Sequence, residues 1–222
     1  LKVTFTYAFM TVPLKLIFAL FIAYILNFKI KGVGLFRTAY YVPSILGGSV
    51  AIAVLWKALF KNDGVVNTIL TMLGFESINF LADKNWALFI ICLLRVWQFG
   101  SAMVLFLAAL KGVPEDLYEA AEIDGAGRLC RFINVTLPQV KEMTFVMCVT
   151  TVTGAFLVFN DVYILTGGGP GNASTTLAVY MYKNGFALDK MGYASTIAVG
   201  MLIISMILAL IQNRAFGSGK ED

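Results

Sequence analysis

Long apolar runs separated by short polar connections set the pattern of this chain. The runs are Val3–Asn27, broken by Pro13 and Lys15; Pro43–Phe60, with Gly47-Gly48-Ser49 near its start; Trp86–Leu110, which contains Arg95 and Gln98; Met143–Leu165, with Asn160 and Asp161 near its end; and the uncharged Tyr193–Ile211. About 20 apolar residues carry a helix across a bilayer, so each run predicts one span. The runs are continuous, which excludes the alternating pattern of a closed β-barrel. The expected fold is all-α and polytopic, a single transmembrane domain over residues 1–222 with five spans and little room for a soluble domain. Two stretches differ from the spans. Val65–Leu73 predicts a short helix lying in the interface, and Gly167–Gly171, rich in Gly and Pro, predicts a turn just beyond the fourth span.

Composition agrees with the runs. Of 222 residues, 59% are hydrophobic and 14% charged, against roughly 25% charged in a soluble domain, so lipid must supply much of the solvent. The net charge of +4 is scattered, with no basic stripe interleaved with aromatics, and nucleic acid is excluded as a partner. No histidine is present, which removes the commonest general base and transition-metal ligand. Cys92, Cys130 and Cys148 lie far apart without metal-ligand spacing, so they read as small buried hydrophobes and no metal site is expected.

Lysine and arginine divide the connections between two sides. Lys29, Lys31, Arg37, Lys111, Arg128, Arg131, Lys141, Arg214 and Lys220 fall on one; Lys2, Lys57, Lys61, Lys84, Lys183 and Lys190 fall on the other, over longer segments. The first group marks the cytoplasmic side. Leu1 is then external, which leads to the expectation of an earlier N-terminal helix and at least six spans in the intact protein.

One segment resists the apolar pattern. Glu115–Pro138 carries five carboxylates and two arginines. Pro114 suits a helix start, and Glu115 and Asp116 suit the positive end of the helix dipole. Leu117, Ala120, Ala121 and Asp124 share a face, and Gly125 can end the helix in a left-handed conformation. A second short helix is expected near Gly127–Asn134, with Leu129, Phe132 and Ile133 as its apolar side, and Pro138 is expected to start the next rising helix. The segment therefore reads as a helix–turn–helix elbow. A loop resting on lipid is the simpler alternative, but such helices favour Lys and Arg on the polar face, and the first elbow helix has acids only: Glu115, Asp116, Glu119, Glu122 and Asp124. A basic protein surface suits it better.

These residues resemble a known pattern. Glu119-Ala120-Ala121, Gly125 and Val135-x-Leu137-Pro138 resemble the EAA loop of ABC importer permeases, with Val135 where the family has Ile. The string V-P-E-D-L-Y-E-A-A-E-I-D-G-A from Val113 is similar to the carbohydrate-importer branch. So are Arg37 followed by Val42-Pro43, Leu165-Thr166-Gly167-Gly168-Gly169-Pro170, and Tyr182-Lys183-Asn184-Gly185-Phe186. The Gly-Gly-Gly-Pro turn resembles the first of the two permeases of the maltose type. The resemblance covers nearly the whole chain.

The resemblance implies a type I ABC importer permease in the bacterial cytoplasmic (inner) membrane. It implies a second permease subunit, two ATPase subunits and an extracytoplasmic sugar-binding protein as partners. Glu119, Ala120, Ala121, Asp124, Gly125, Leu137 and Pro138, within the coupling loop 111–141, would contact an ATPase subunit, which would hold the ATP and Mg. This chain would bind no cofactor and catalyse nothing, in keeping with the lack of a G-x-x-x-x-G-K-[ST] loop. Trp97, Gln98 and Ser101 offer an aromatic face and hydrogen-bonding groups within about a turn of helix, and Leu94 shares their stripe. By similarity this stripe lines the sugar path, joined by Ser44, Gly48 and Ser49 and by Thr151, Gly154, Ala155 and Val158. Ala155 and Val158 stand where the maltose type has polar residues. Lys15 must pair or reach water; Arg95 is expected to meet a partner in the companion permease, with an acidic sugar as the alternative; Asp161 suits a mouth or an interface. Other readings are an ion-gradient transporter, a permease for a solute such as glycerol phosphate, and a membrane enzyme. The first would favour an internal repeat with broken helices and the last would need clustered acids or Ser–Lys pairs at membrane depth; neither is found.

Overall fold

The computed structural model describes residues 1–28 and 32–216. Lys29, Lys31 and Lys220, which entered the assignment of sides, lie outside the described residues. The described residues form helices and turns, without a strand.

Helix α1 (Lys2–Asn27) runs unbroken through Pro13. The expected break does not occur: a membrane helix tolerates the lost N–H, because neighbouring helices and hydroxyl side chains satisfy the freed carbonyl. At 1.5 Å per residue its 26 residues cover about 39 Å. The last helix, which we label α13 (Met191–Phe216), is longer than the expected Tyr193–Ile211. Among the described residues, only these two helices are single pieces long and apolar enough to cross a membrane; two bent pairs raise the total to at most four by length and composition.

The three middle spans are therefore corrected from single helices to broken ones. Pro43–Phe60 is not one rod. Pro43 lies inside α2 (Val33–Leu46); α3 (Val50–Phe60) follows, and the stretch Val50–Met72 that it begins leaves α2 at 99°. Gly47-Gly48 supplies the break, and Ser49 restarts the helix by accepting the Ile52 N–H on its hydroxyl. The short helix expected over Val65–Leu73 appears as α4 (Val65–Met72). Trp86–Leu110 divides into α5 (Lys84–Trp97) and α6 (Gly100–Lys111), bent by 42° at Gln98-Phe99. Met143–Leu165 divides into α10 (Lys141–Phe156) and α11 (Asn160–Leu165). Between α6 and α10 lie the elbow pieces α7 (Glu115–Ile123), α8 (Arg128–Arg131), a π turn at Phe132–Thr136 and α9 (Leu137–Gln139). After α11 come α12 (Leu177–Tyr182) and a second π turn at Lys183–Ala187.

Helix α1 is the centre of the bundle and packs on α5, α6 and α10; α13 packs on α10, α2 on α6 and α3 on α11. Fully buried Ala19 and Ala23 let α6 approach closely. One end of α1 meets the elbow through Tyr24 and Phe132, ring centroids 4.8 Å apart. The other meets α12, where the Leu177 N–H donates to the Thr4 hydroxyl at 3.0 Å. These contacts define an elbow end and a far end.

The apolar interior forms two clusters. Tyr7, Val12, Ile91, Leu94, Phe156 and Val162 fill the half nearer the far end, and Ala23, Met103, Phe106, Leu110 and Val140 fill the half nearer the elbow. Between Val12 and Ala19 on α1 stands Lys15; between Leu94 and Phe99 stands Arg95; between Met147 and Ala155 stand Thr150, Thr151 and Gly154. Polar side chains thus gather at the join between the two halves, which Leu16 bridges. Leu202, Met206 and Leu210 on α13 are exposed, and only an apolar surrounding matches them.

Candidate coupling elbow and transport path

The elbow begins where Pro114, extended at ψ 135°, precedes Glu115. Its first helix ends in a Schellman cap: the Ala126 N–H donates to the Ala121 carbonyl at 2.9 Å and the Gly125 N–H to that of Glu122 at 3.0 Å. Gly125 takes φ +77°, with nothing within 4 Å of a would-be Cβ, so its need is conformational, not steric. Two side-chain braces close the joint. Tyr118 Oη and Thr136 Oγ1 are 3.0 Å apart, with Thr136 fully buried. Arg131 Nη1 donates to Glu122 Oε2 at 2.7 Å. Neither brace was singled out by sequence reasoning; Tyr118 and Thr136 are separated by the turn, and nothing in their spacing joins them.

The second half of the elbow is longer than expected. From Arg128 the chain stays helical through the π turn to Gln139. Pro138 therefore does not start the rising helix: it lies inside the second elbow helix, and α10 starts at Lys141 after Val140 departs from helical geometry. Glu119, Ala120, Asp124, Gly125, Leu137 and Pro138 are exposed and Ala121 is half-buried. Ile123, 86% exposed, and Leu129, 72% exposed, add apolar surface beside the acids. The elbow thus presents acids and apolar side chains together on one exposed surface.

The expected path residues do not form one lining. Ser101, Thr151 and Gly154 come together with Lys15 and Arg95 around a cavity of about 340 Å³. Leu94, Ala155 and Val158 are buried in the apolar half nearer the far end. Gln98 is buried too; its Oε1 accepts from Arg95 Nη1 at 3.1 Å, while its Nε2 has no hydrogen-bond partner. Arg95 also lies 3.8 Å from the Asp161 carboxylate, so it has a partner within this chain, where one in a companion was expected. Ser44 accepts the Ser101 N–H at 3.1 Å, and Gly48 and Ser49 occupy the α2–α3 bend, both exposed. Trp97, partly exposed, tilts against Trp56 with centroids 5.4 Å apart. Trp56 was missed, although it lies in the second apolar run.

At the far end the Gly167–Gly171 turn is held by hydroxyls. Ser174 donates to the Gly169 carbonyl at 2.6 Å and meets Thr166 at 2.7 Å; Thr175 donates to the Gly168 carbonyl at 2.9 Å. Beside it opens a cavity of about 780 Å³ lined by Lys57, Lys61, Asn79, Tyr163 and Lys183.

Residues 3–216 match the model of the family described as "Binding-protein-dependent transport system inner membrane component". The chain belongs to this family. Among relatives of these inner membrane components, the chain is 45% identical over 214 residues to the probable ABC transporter permease protein YesP of Bacillus subtilis (strain 168), covering 95% of this chain and 69% of that one. It is 33% identical over 227 residues to the arabinooligosaccharides transport system permease protein AraP of the same organism, covering 100% and 71%. Its fold is similar to that in the crystal structure of a bacterial ABC transporter involved in import of the acidic polysaccharide alginate: TM-score 0.86 at 22% identity, over 99% of this chain and 78% of that one. As an inner membrane component of a transport system the chain is a multi-pass permease subunit, with α1, α13 and the two bent helix pairs able to span the membrane by length and composition.

Proposed function

We propose that this permease forms one half of the translocation path of an ATP-driven importer for sugars or oligosaccharides, and that the elbow is its contact with an ATPase subunit. The observation that carries the reading is the braced elbow: exposed acids and small residues on α7, locked to the second elbow helix at Tyr118–Thr136 and Glu122–Arg131. In an otherwise apolar protein such a joint serves transmission, because a soft loop would dissipate the displacement applied to it. Ala120 and Ala121 permit close approach to a partner cleft, and Glu119 faces outward for a basic group there. Closure of two ATPase subunits around ATP and Mg would push α7, and the second elbow helix would pass the displacement to α10, which carries Thr151 and Gly154. The elbow end is then cytoplasmic. The far end would receive cargo from an extracytoplasmic binding protein, and a companion permease would complete the path. The stated cargo of AraP, arabinooligosaccharides, supports a saccharide, as do the hydroxyls of Ser101, Thr150 and Thr151 and the Trp56–Trp97 pair.

The test is Glu119→Lys in the complete importer. Reversing a docking charge costs several kcal/mol at an interface, about a hundredfold or more in affinity. ATPase subunits should co-purify with the wild-type permease and be lost with the variant, and ATP-dependent uptake should fall with them. Uptake at the wild-type rate would refute the elbow as the contact.

A further inference from the structure

Lys15 stands at the middle of α1, about 20 Å along the axis from Lys2. It lines the mid-bundle cavity together with Arg95 and the hydroxyl residues Ser101, Thr150 and Thr151. Arg95 is already engaged, by Asp161 at 3.8 Å and by Gln98 at 3.1 Å. Lys15 is not: among the described residues no carboxylate lies within 4.0 Å of its amine, and it makes no hydrogen bond. Two cations facing one carboxylate leave this join with one positive charge in excess, between two apolar clusters. A charge at such depth persists where it faces a partner or a passing ion, since lipid and apolar side chains cannot balance it. The neighbouring hydroxyls can bond a sugar, but they carry no charge.

A second observation points the same way. The far-end cavity is lined by Lys57, Lys61 and Lys183 and by no acid. Lys57 donates to the Ile164 carbonyl at 2.9 Å and Lys61 meets Asp63 at 3.2 Å. Helix α11 lies near both cavities: Asp161 near its start holds Arg95, which lines the mid-bundle cavity, and Leu165 at its end lines the far-end cavity, about 6 Å further along. Of the three lysines, Lys183 alone has no such partner among the described residues, and basic side chains line both cavities.

We propose that the cargo is an acidic saccharide, a sugar chain bearing carboxylates, and that Lys15 and Arg95 receive its carboxylate at the middle of the membrane. This rests on the importer reading above and names the chemical class of its cargo. Neutral sugars would leave Lys15 unbalanced in the loaded state; a uronate residue balances it while its hydroxyls reach Ser101 and Thr151. The rival occupant is a carboxylate of the companion permease, which would make Lys15 an assembly residue.

The experiment uses the whole importer in proteoliposomes: this permease, its companion, both ATPase subunits and the cognate binding protein. The probes are uronic-acid oligosaccharides of two to five units and their carboxyl-reduced, neutral counterparts. The expected result is ATP-dependent uptake of the uronates at least about tenfold faster than of the neutral partners, a loss of about tenfold or more in Lys15→Met, and recovery of most of it in Lys15→Arg. The companion should co-purify undiminished with both variants. Equal uptake of the neutral sugars overturns the proposal, and so does uronate uptake at the wild-type rate in Lys15→Met. Loss of the companion from Lys15→Met overturns it in favour of the assembly role. In each of these cases the importer reading survives; uptake of neither class with ATP would remove that reading as well.

Discussion

Gly125 and Gly100 are glycines for opposite reasons. At Gly125 there is space but the backbone is left-handed, so Gly125→Ala should cost about 1–2 kcal/mol through strain alone. At Gly100 the backbone is ordinary but there is no space: a Cβ would strike the Tyr40 carbonyl and sit 2.9 Å from Ser44 Oγ and Tyr41 Cα. Gly100→Ala should therefore part α2 from α6 and destabilise by about 1–3 kcal/mol. Thermal unfolding in detergent checks both, and the causes separate with a second pair: Gly125→Asn, which accepts a left-handed backbone, should recover most of the loss at that site, whereas Gly100→Asn should lose at least as much as Gly100→Ala. The role of Gly125 is legible in the sequence, because a glycine after an acid-rich helix is a cap signal. The role of Gly100 is not, since its neighbour lies on another helix. The same limit applies to the charges. Lys15, Arg95 and Asp161 each stand out singly inside apolar runs, yet only folding brings Arg95 to Asp161 and turns Lys15 into the same cavity.

The existence of the helices was legible from the length of the apolar runs, and their continuity was not. Gly47-Gly48 signals the break that ends α2, but the 99° angle is set by what meets it: Gly47 rests directly on the Gln98 side chain. The 42° bend at Gln98-Phe99 has a weaker signal, and it falls inside the stripe that reads as a single face from Leu94 to Ser101. Pro13 signals a break that the helix does not make. At the elbow the acids and the glycine gave the first helix, whereas its locking to the second depends on Tyr118 reaching Thr136. That lock yields a prediction. Tyr118→Phe combined with Arg131→Gln should leave the ATPase subunits attached, because Glu119 and Ala120 are untouched. Transport per ATP hydrolysed should still fall several-fold, each hydrogen bond contributing about 1 kcal/mol to the joint. Uptake and phosphate release measured on the same vesicles report the ratio, and an unchanged ratio would show the braces to be dispensable.

The chain travels between its two ends in alternating directions, and the cysteines report on that arrangement. Cys130 is exposed on the elbow, Cys92 is buried and Cys148 is half-buried within α10. Thiol reagents attack the solvated thiolate. A membrane-impermeant maleimide should therefore label the permease at Cys130 alone, and only from the cytoplasmic face, in inside-out vesicles stripped of ATPase subunits; Cys130→Ser should abolish the signal. Labelling from the opposite face would invert the assigned topology. The distribution of stiffness follows from the same architecture. The elbow is cross-linked by its cap and its two braces, so it has few soft torsions in which to absorb work. Near mid-bundle the backbone ladder is interrupted at Gln98-Phe99 and at Leu157–Phe159, where it gives way to single side-chain bonds, Arg95 to Gln98 Oε1 and the Thr176 hydroxyl to the Val158 carbonyl. Compliance is concentrated there, beside Arg95 and Asp161, so a stroke delivered at the membrane surface would be felt as flexing halfway across it.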